Sequence, residues 1–228
     1  SSSVEGTFAM LNNQRGDVTV YNLGMDTQRV SPGTIFKIAE VLIGVESSRL
    51  TDKNSTLNTA DSSLGKVTLQ SAFDQNNTEF FRELAIKIGK DTLSQWIDTL
   101  KYGNMNVADT TGFWNDGQLI ISPDEQLGFM SKIYFNKLPF EKYAQQLIKD
   151  LLLKEDNTLY RMSYTTGSAM SVNKEPMAWI TGWIEENRHV YFFVSLIKSK
   201  ENRDDLEKTA TNITKNILAA KGFFKGQK

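Results

Sequence analysis

The chain has 228 residues, 39% hydrophobic and 23% charged, a globular balance that excludes disorder and can build a real core. A formal net charge of −1 gives no overall field to draw in nucleic acid or anionic lipid. The lack of cysteine excludes disulfides and thiolate chemistry, and a single histidine, His189, cannot serve both a Ser-His-Asp triad and a histidine-rich metal site.

In chain order, Gly6 to Leu11 and Val18 to Tyr21 read as two short strands around the turn-rich Asn12 to Gly16 stretch. Ser31-Pro32 predicts the start of a helix running to about Ser47, with Ser31 as N-cap. Thr78 to Ile88 has apolar residues at helical spacing and ends at Gly89, after which Asp91 is expected to cap a helix through Leu100. Ser122-Pro123-Asp124-Glu125 reads as a capping box opening a helix to about Phe135, and Phe140 to Leu153 as another helix. Leu159 to Tyr164, Ala178 to Glu185 and Val190 to Ile197 read as strands, the last two joined around Glu186-Asn187-Arg188, with His189 as a turn residue and Lys198 to Lys200 as a solvated strand end. Leu206 to Ala220 is the closing helix, ended by Gly222. The order predicts an α+β fold: an antiparallel sheet flanked by terminal helices and built from about 1–48 and 156–228, with a helical part at about 49–155, all in one domain.

Several segments carry a family resemblance. Arg29-Val30-Ser31-Pro32-Gly33-Thr34-Ile35-Phe36-Lys37-Ile38 resembles the Ser-x-x-Lys segment of class D (OXA-type) β-lactamases, within the penicillin-recognising serine acyl-enzymes. Lys101 to Asn106 resembles their Tyr-Gly-Asn motif; Phe113-Trp114, Gly117-Gln118-Leu119 and Ile121-Ser122 resemble the stretch after it. Thr165-Thr166-Gly167 stands where Lys-Thr-Gly is expected, and Trp179 to Trp183 and Tyr191 to Phe193 resemble the two strands that follow. The likeness runs from about Glu5 to Gly222. It implies a serine attacking a lactam carbonyl, a lysine base that such enzymes carbamylate in an apolar pocket, a Ser-x-Val serine relaying protons, and a lysine and an arginine holding the substrate carboxylate.

The departures fall on the chemistry. The nucleophile position is Thr34, whose β-methyl restricts χ1 and crowds the attacking oxygen. The relay position is Asn76, in Asn76-Asn77-Thr78, and an amide does not shuttle protons at neutral pH. The Lys-Thr-Gly lysine is Thr165, and counting back from Gly222-Phe223-Phe224 puts Ala210 at the arginine. Lys37 is read either as a vestigial base or as a buried lysine bonded to Asn76 or a carbonyl. Tyr102, Asn104, Trp114, Thr165, Thr166 and Gly167 are the candidate ligand-binding residues, with Trp114 open to a core role and Tyr102-Gly103-Asn104 to a plain turn. Ser163 and Ser168 are taken as strand and turn residues. No metal site and no cofactor is expected, a carbamylated Lys37 being the one modification the resemblance would bring. The reading that results is a catalytically impaired relative that binds an unidentified small molecule or protein partner. Its alternatives are a weak hydrolase or penicillin-binding protein using Thr34 and Lys37, and a β-lactam sensor domain. The resemblance implies a periplasmic or otherwise extracytoplasmic location. No stretch approaches the roughly 20 apolar residues that span a bilayer, and Ser1-Ser2-Ser3 reads as a trimmed end, so membrane attachment is expected only through a removed signal or lipid anchor.

Overall fold

The computed structural model describes residues 4–57, 67–201 and 203–228; Ser1-Ser2-Ser3 and part of the expected helical segment lie outside them. Strands β1 (Val4–Asn12), β2 (Asp17–Tyr21), β3 (Leu153–Asp156), β4 (Tyr160–Met170), β5 (Pro176–Glu186) and β6 (His189–Ser199) form one antiparallel sheet in the order β2-β1-β6-β5-β4-β3. The two ends of the chain meet where β1 pairs with β6, Ala9 opposite Val194. Side chains alternate between faces along a strand. On β5 and β6, Trp179, Trp183, Phe192 and Val194 join the larger core, whereas Ile180, Ile184, Tyr191 and Phe193 join a second core on the other face. Burial on both faces explains why β6 reads as an unbroken apolar run rather than an alternating one.

Helix α8 (Leu206–Ala220) covers the second face through Leu206, Ala210 and Leu218. The first face carries α6 (Pro123–Tyr134) and, beyond it, α2 (Lys37–Glu46), α4 (Thr78–Ile88), α5 (Lys90–Leu100) and α7 (Lys142–Leu152), with the short helices α1 (Leu23–Asp26) and α3 (Leu69–Asp74). The capping box opening α6 is complete: the Ser122 hydroxyl accepts from the Glu125 N–H, and the Glu125 carboxylate accepts from the Ser122 N–H at 2.9 Å. Asp91 does not cap α5; Gly89 occupies that position and Asp91 lies in the first turn. Among the described residues no helix is long and apolar enough to cross a membrane.

The expected helix start at Ser31-Pro32 is displaced. A 3-10 turn, Gly33–Phe36, comes first, and α2 begins at Lys37. The Ser31 hydroxyl instead donates to the Trp114 carbonyl at 2.6 Å, and that carbonyl also takes the Gly33 N–H at 3.0 Å. Gly33 has φ +54°, and a Cβ there would lie 1.9 Å from the Ser168 carbonyl oxygen. No side chain fits, so glycine lets this turn seat against β4.

Two carboxylic acids are buried on the helical side. Burial keeps Glu40, on α2, well above the ordinary carboxylate range. Asp26 is 1% exposed, one of its oxygens has no hydrogen-bond partner, and burial together with the charge of Asp124 pushes it up to about 6. A raised folded-state value means the folded form binds the proton more tightly than the unfolded chain does. Asp26 therefore contributes its stability below about pH 4 and loses it as the pH rises through about 6. Asp26→Asn is expected to stabilise the protein by about 1 kcal/mol at pH 8 and to change little at pH 4. Urea denaturation at the two pH values checks this; an equal shift at both would remove the carboxyl from the account.

Candidate functional site

The site forms where the 3-10 turn meets the edge of β4. Strand β3 pairs with β4 over Arg161 to Ser163, and the 3-10 turn packs against β4 further along. Gly167 permits the approach: a Cβ there would lie 2.6 Å from the Ile35 nitrogen and 2.9 Å from Thr34 Oγ1. The contact is closed by the Ser168 N–H, which donates to Thr34 Oγ1 at 2.9 Å. Thr34 is half-buried and lines an open cavity of about 440 Å³ with Thr78, Asn115, Ser168, Arg203 and Glu207. Ser168, taken from the sequence as a turn residue, lies within β4 beside Thr34.

Lys37 follows Thr34 by three residues, one turn of a 3-10 helix, and is 2% exposed. Its ammonium nitrogen donates to the Phe73 carbonyl at 2.8 Å, to the Thr166 carbonyl at 3.2 Å and to Asn76 Oδ1. It also lies 4.5 Å from the centre of the Phe73 ring, a further contact that favours a cation. Thr34 is not among these partners. Burial pushes Lys37 down to about 7, with Lys154 acting in the same direction and the carboxylates of Glu207 and Asp74 opposing it. Those influences leave charged and neutral amine near balance at neutrality, and the hydrogen-bond geometry favours the charged form. Three oxygen acceptors need three N–H groups, and only the ammonium has three. In that form the lysine has no lone pair to receive a proton.

Asn76 sits at φ +53°, a left-handed conformation that asparagine tolerates better than most residues. The next residue, Asn77, does separate work, capping α4 through the Phe80 N–H at 2.9 Å. The Asn76 amide bridges opposite charges: Oδ1 accepts from Lys37, and Nδ2 donates to Glu207 Oε2 at 2.7 Å. The same Glu207 oxygen accepts from the Thr166 hydroxyl at 2.5 Å. Lys37, Asn76, Glu207 and Thr166 thus form a closed ring that joins α2, the α3–α4 connection, α8 and β4.

Glu207 went unrecognised in the sequence. Ala210, the position assigned to the arginine, is fully buried in the core between α8 and the sheet and does not line the cavity. One turn earlier on the same helix, Glu207 reaches the site and brings a negative charge where the resemblance implies a positive one. The signal that could have found it is a carboxylate beside the apolar stripe of an amphipathic helix.

The other candidates divide. Thr165 and Thr166 line a second cavity of about 550 Å³ on the far side of Glu207, and the Thr165 hydroxyl donates to the Thr166 carbonyl at 3.4 Å. Tyr102 is 2% exposed, its hydroxyl donates to Gln126 Oε1 at 3.1 Å, and burial pushes the phenol up. Asn104 donates to the Gln118 carbonyl at 2.7 Å and accepts from the Ile120 N–H at 3.1 Å. Trp114 is 2% exposed and stacks on Phe36 with centroids 5.6 Å apart. These three side chains, expected to bind ligand, hold the loop that carries Trp114 against α6 and the 3-10 turn. The Tyr102 hydroxyl and the Asn104 amide are taken up inside the protein. Among the described residues no group of three or more His, Asp or Glu side chains is placed to hold a metal ion.

Residues 5–219 match the penicillin-binding protein transpeptidase domain, and the chain belongs to that family. Proteins similar to this chain include class D β-lactamases and a penicillin receptor. The chain is 29% identical to the probable β-lactamase YbxI of Bacillus subtilis, over 96% of this chain and 82% of the relative. It is 28% identical to the regulatory protein BlaR1 of Bacillus licheniformis over 97% of this chain, which spans only 38% of that relative's length. Among solved structures, the C-terminal domain of the Bacillus licheniformis BlaR penicillin-receptor superposes with a TM-score of 0.89 at 27% identity, covering 97% of this chain and 92% of that one. A class D β-lactamase from Bacillus subtilis gives a TM-score of 0.86 at 27% identity, covering 98% and 94%.

Proposed function

We propose that this chain is a class D β-lactamase-like domain that uses the inherited cleft to bind a ligand or a protein partner without turning over β-lactams. The observation that carries this reading is Lys37, whose three donors are all engaged, by Phe73, Asn76 and Thr166. An acyl transfer through Thr34 needs a base at this position, and an ammonium is not one. Three further features support it. Thr34 carries a methyl on its attacking carbon arm, Asn76 replaces a hydroxyl relay, and neither Thr165 nor Glu207 can pair with a substrate carboxylate. Because members of one catalytic unit fail together, each loss commonly costing about 10³-fold or more, no single residue change is expected to restore turnover.

The test is hydrolysis of a chromogenic cephalosporin by the purified protein. The expected rate is no greater than that of the protein-free blank; turnover abolished by Thr34→Ala would support the hydrolase alternative instead.

A sensor reading is the second, favoured by alignment to BlaR1 across 97% of the chain. On that reading Thr34 would be acylated once and held. Covalent labelling without turnover separates it from the first.

A further inference from the structure

Glu207 is the residue of this cleft that the family resemblance does not account for. Its carboxylate takes hydrogen bonds from the Thr166 hydroxyl, in the Thr-Thr-Gly segment, and from the Asn76 amide. It borders both cavities, with Thr34 on one side and Thr165 on the other. On the Thr34 cavity the neighbouring charges do not cancel it, whereas on the second cavity Lys208 stands beside it. Arg203 is held by Asp205 through two contacts of 2.9 Å, Lys154 is paired with Asp74, and Asp204 adds a second negative charge to the Thr34 cavity. Lys37 is the buried compensating cation, and it lies behind the Asn76 amide.

We propose that Glu207 sets the charge selectivity of the cleft, so that it turns away ligands bringing a carboxylate to the β4 edge and admits neutral or cationic ones. This rests on the reading of the cleft as a binding site. The Thr166 hydroxyl and the Asn76 amide are spent on an internal carboxylate, so an incoming one finds two donors already used and a like charge in place. In a partly exposed site, repulsion at such range corresponds to about a five- to tenfold loss of affinity, and salt weakens it.

Benzylpenicillin and its methyl ester share one body and differ in the carboxylate, which makes them a matched pair of probes. Equilibrium titration of each is followed by NMR in the wild type, Glu207→Gln and Glu207→Asp. Glutamine keeps an oxygen for Thr166 and Asn76 while removing the charge; aspartate keeps the charge. The wild type and Glu207→Asp are expected to favour the ester by about fivefold or more at low salt, narrowing at high salt. Glu207→Gln is expected to bring the two affinities close to equal. Acid bound as tightly as ester by the wild type, a ratio unmoved in Glu207→Gln, or no binding of either probe would each overturn the proposal. A covalent adduct in the same samples would instead overturn the non-acylating reading and leave the affinity ratio to judge Glu207.

Discussion

Replacing Lys37 by methionine is expected to destabilise the protein by about 3 kcal/mol at pH 6.5. Methionine matches the length of the lysine stem, so the loss is not one of packing. The Phe73 carbonyl and Asn76 Oδ1 would lose this donor, and the Thr166 carbonyl would lose one of its donors, in a site where water has little access. Glu207 would lose the cation that balances it across the Asn76 amide. Against this stands the relief of burying an ammonium, the same burial that pushes Lys37 down to about 7. Removing one member of a buried polar network commonly outweighs such relief because the partners are left unsatisfied. In a chain of this size the change corresponds to a fall in melting temperature of about 6–12 °C. Thermal unfolding followed by circular dichroism measures it. A neutral or stabilising substitution would show that burial dominates and that the ring does not hold the four elements together.

The second large effect is a gain. Thr34→Ser alone is expected to give no acylation, because the amine it needs remains an ammonium bonded to Asn76. Asn76→Ser alone is expected to give none either, because the nucleophile stays a threonine. Combined, the two substitutions supply a primary hydroxyl and remove an amide oxygen that favours the charged form of Lys37. The pair is expected to react with a penicillin at a rate at least about 10²-fold above the detection limit below which both single variants stay, the non-additivity typical of residues that act as a unit. The left-handed backbone at residue 76 favours asparagine, so a modest loss of stability accompanies the change. Stopped-flow acylation at pH 7.5 compares the three proteins. Equal rates in the pair and in Thr34→Ser would place the block outside the Lys37–Asn76 contact.

Most of the fold was legible in the sequence because its signals are local. The capping box at Ser122, the apolar period of Thr78 to Ile88 and the run through Val190 to Ile197 each specify an element from neighbouring residues. The misses have physical causes. The Ser31-Pro32 pair looks like a helix start, yet the Ser31 hydroxyl is drawn to the Trp114 carbonyl 83 residues away, and Gly33 turns the chain against β4 first. Strand β4 runs to Met170, past the expected end at Tyr164, because β5 pairs with it as far as Pro176 opposite Met170.

The site was legible where motif spacing carried it. Thr34, Lys37, Asn76, Thr166 and Gly167 were all named from the chain and do converge. Glu207 was not, since it lies 41 residues from Thr166 and 131 from Asn76 and belongs to no motif. Searching for an arginine by counting from Gly222 led to Ala210, one turn away on the same helix, where a small apolar side chain serves the sheet core.

The central claim is that Thr34 and Lys37 no longer form a nucleophile and base, and intact-mass spectrometry tests it most directly. Folded protein would be incubated with millimolar penicillin and, separately, a carbapenem. An unchanged mass is expected in both; a gain equal to the drug, absent from Thr34→Ala, would contradict this and make Thr34 a live nucleophile.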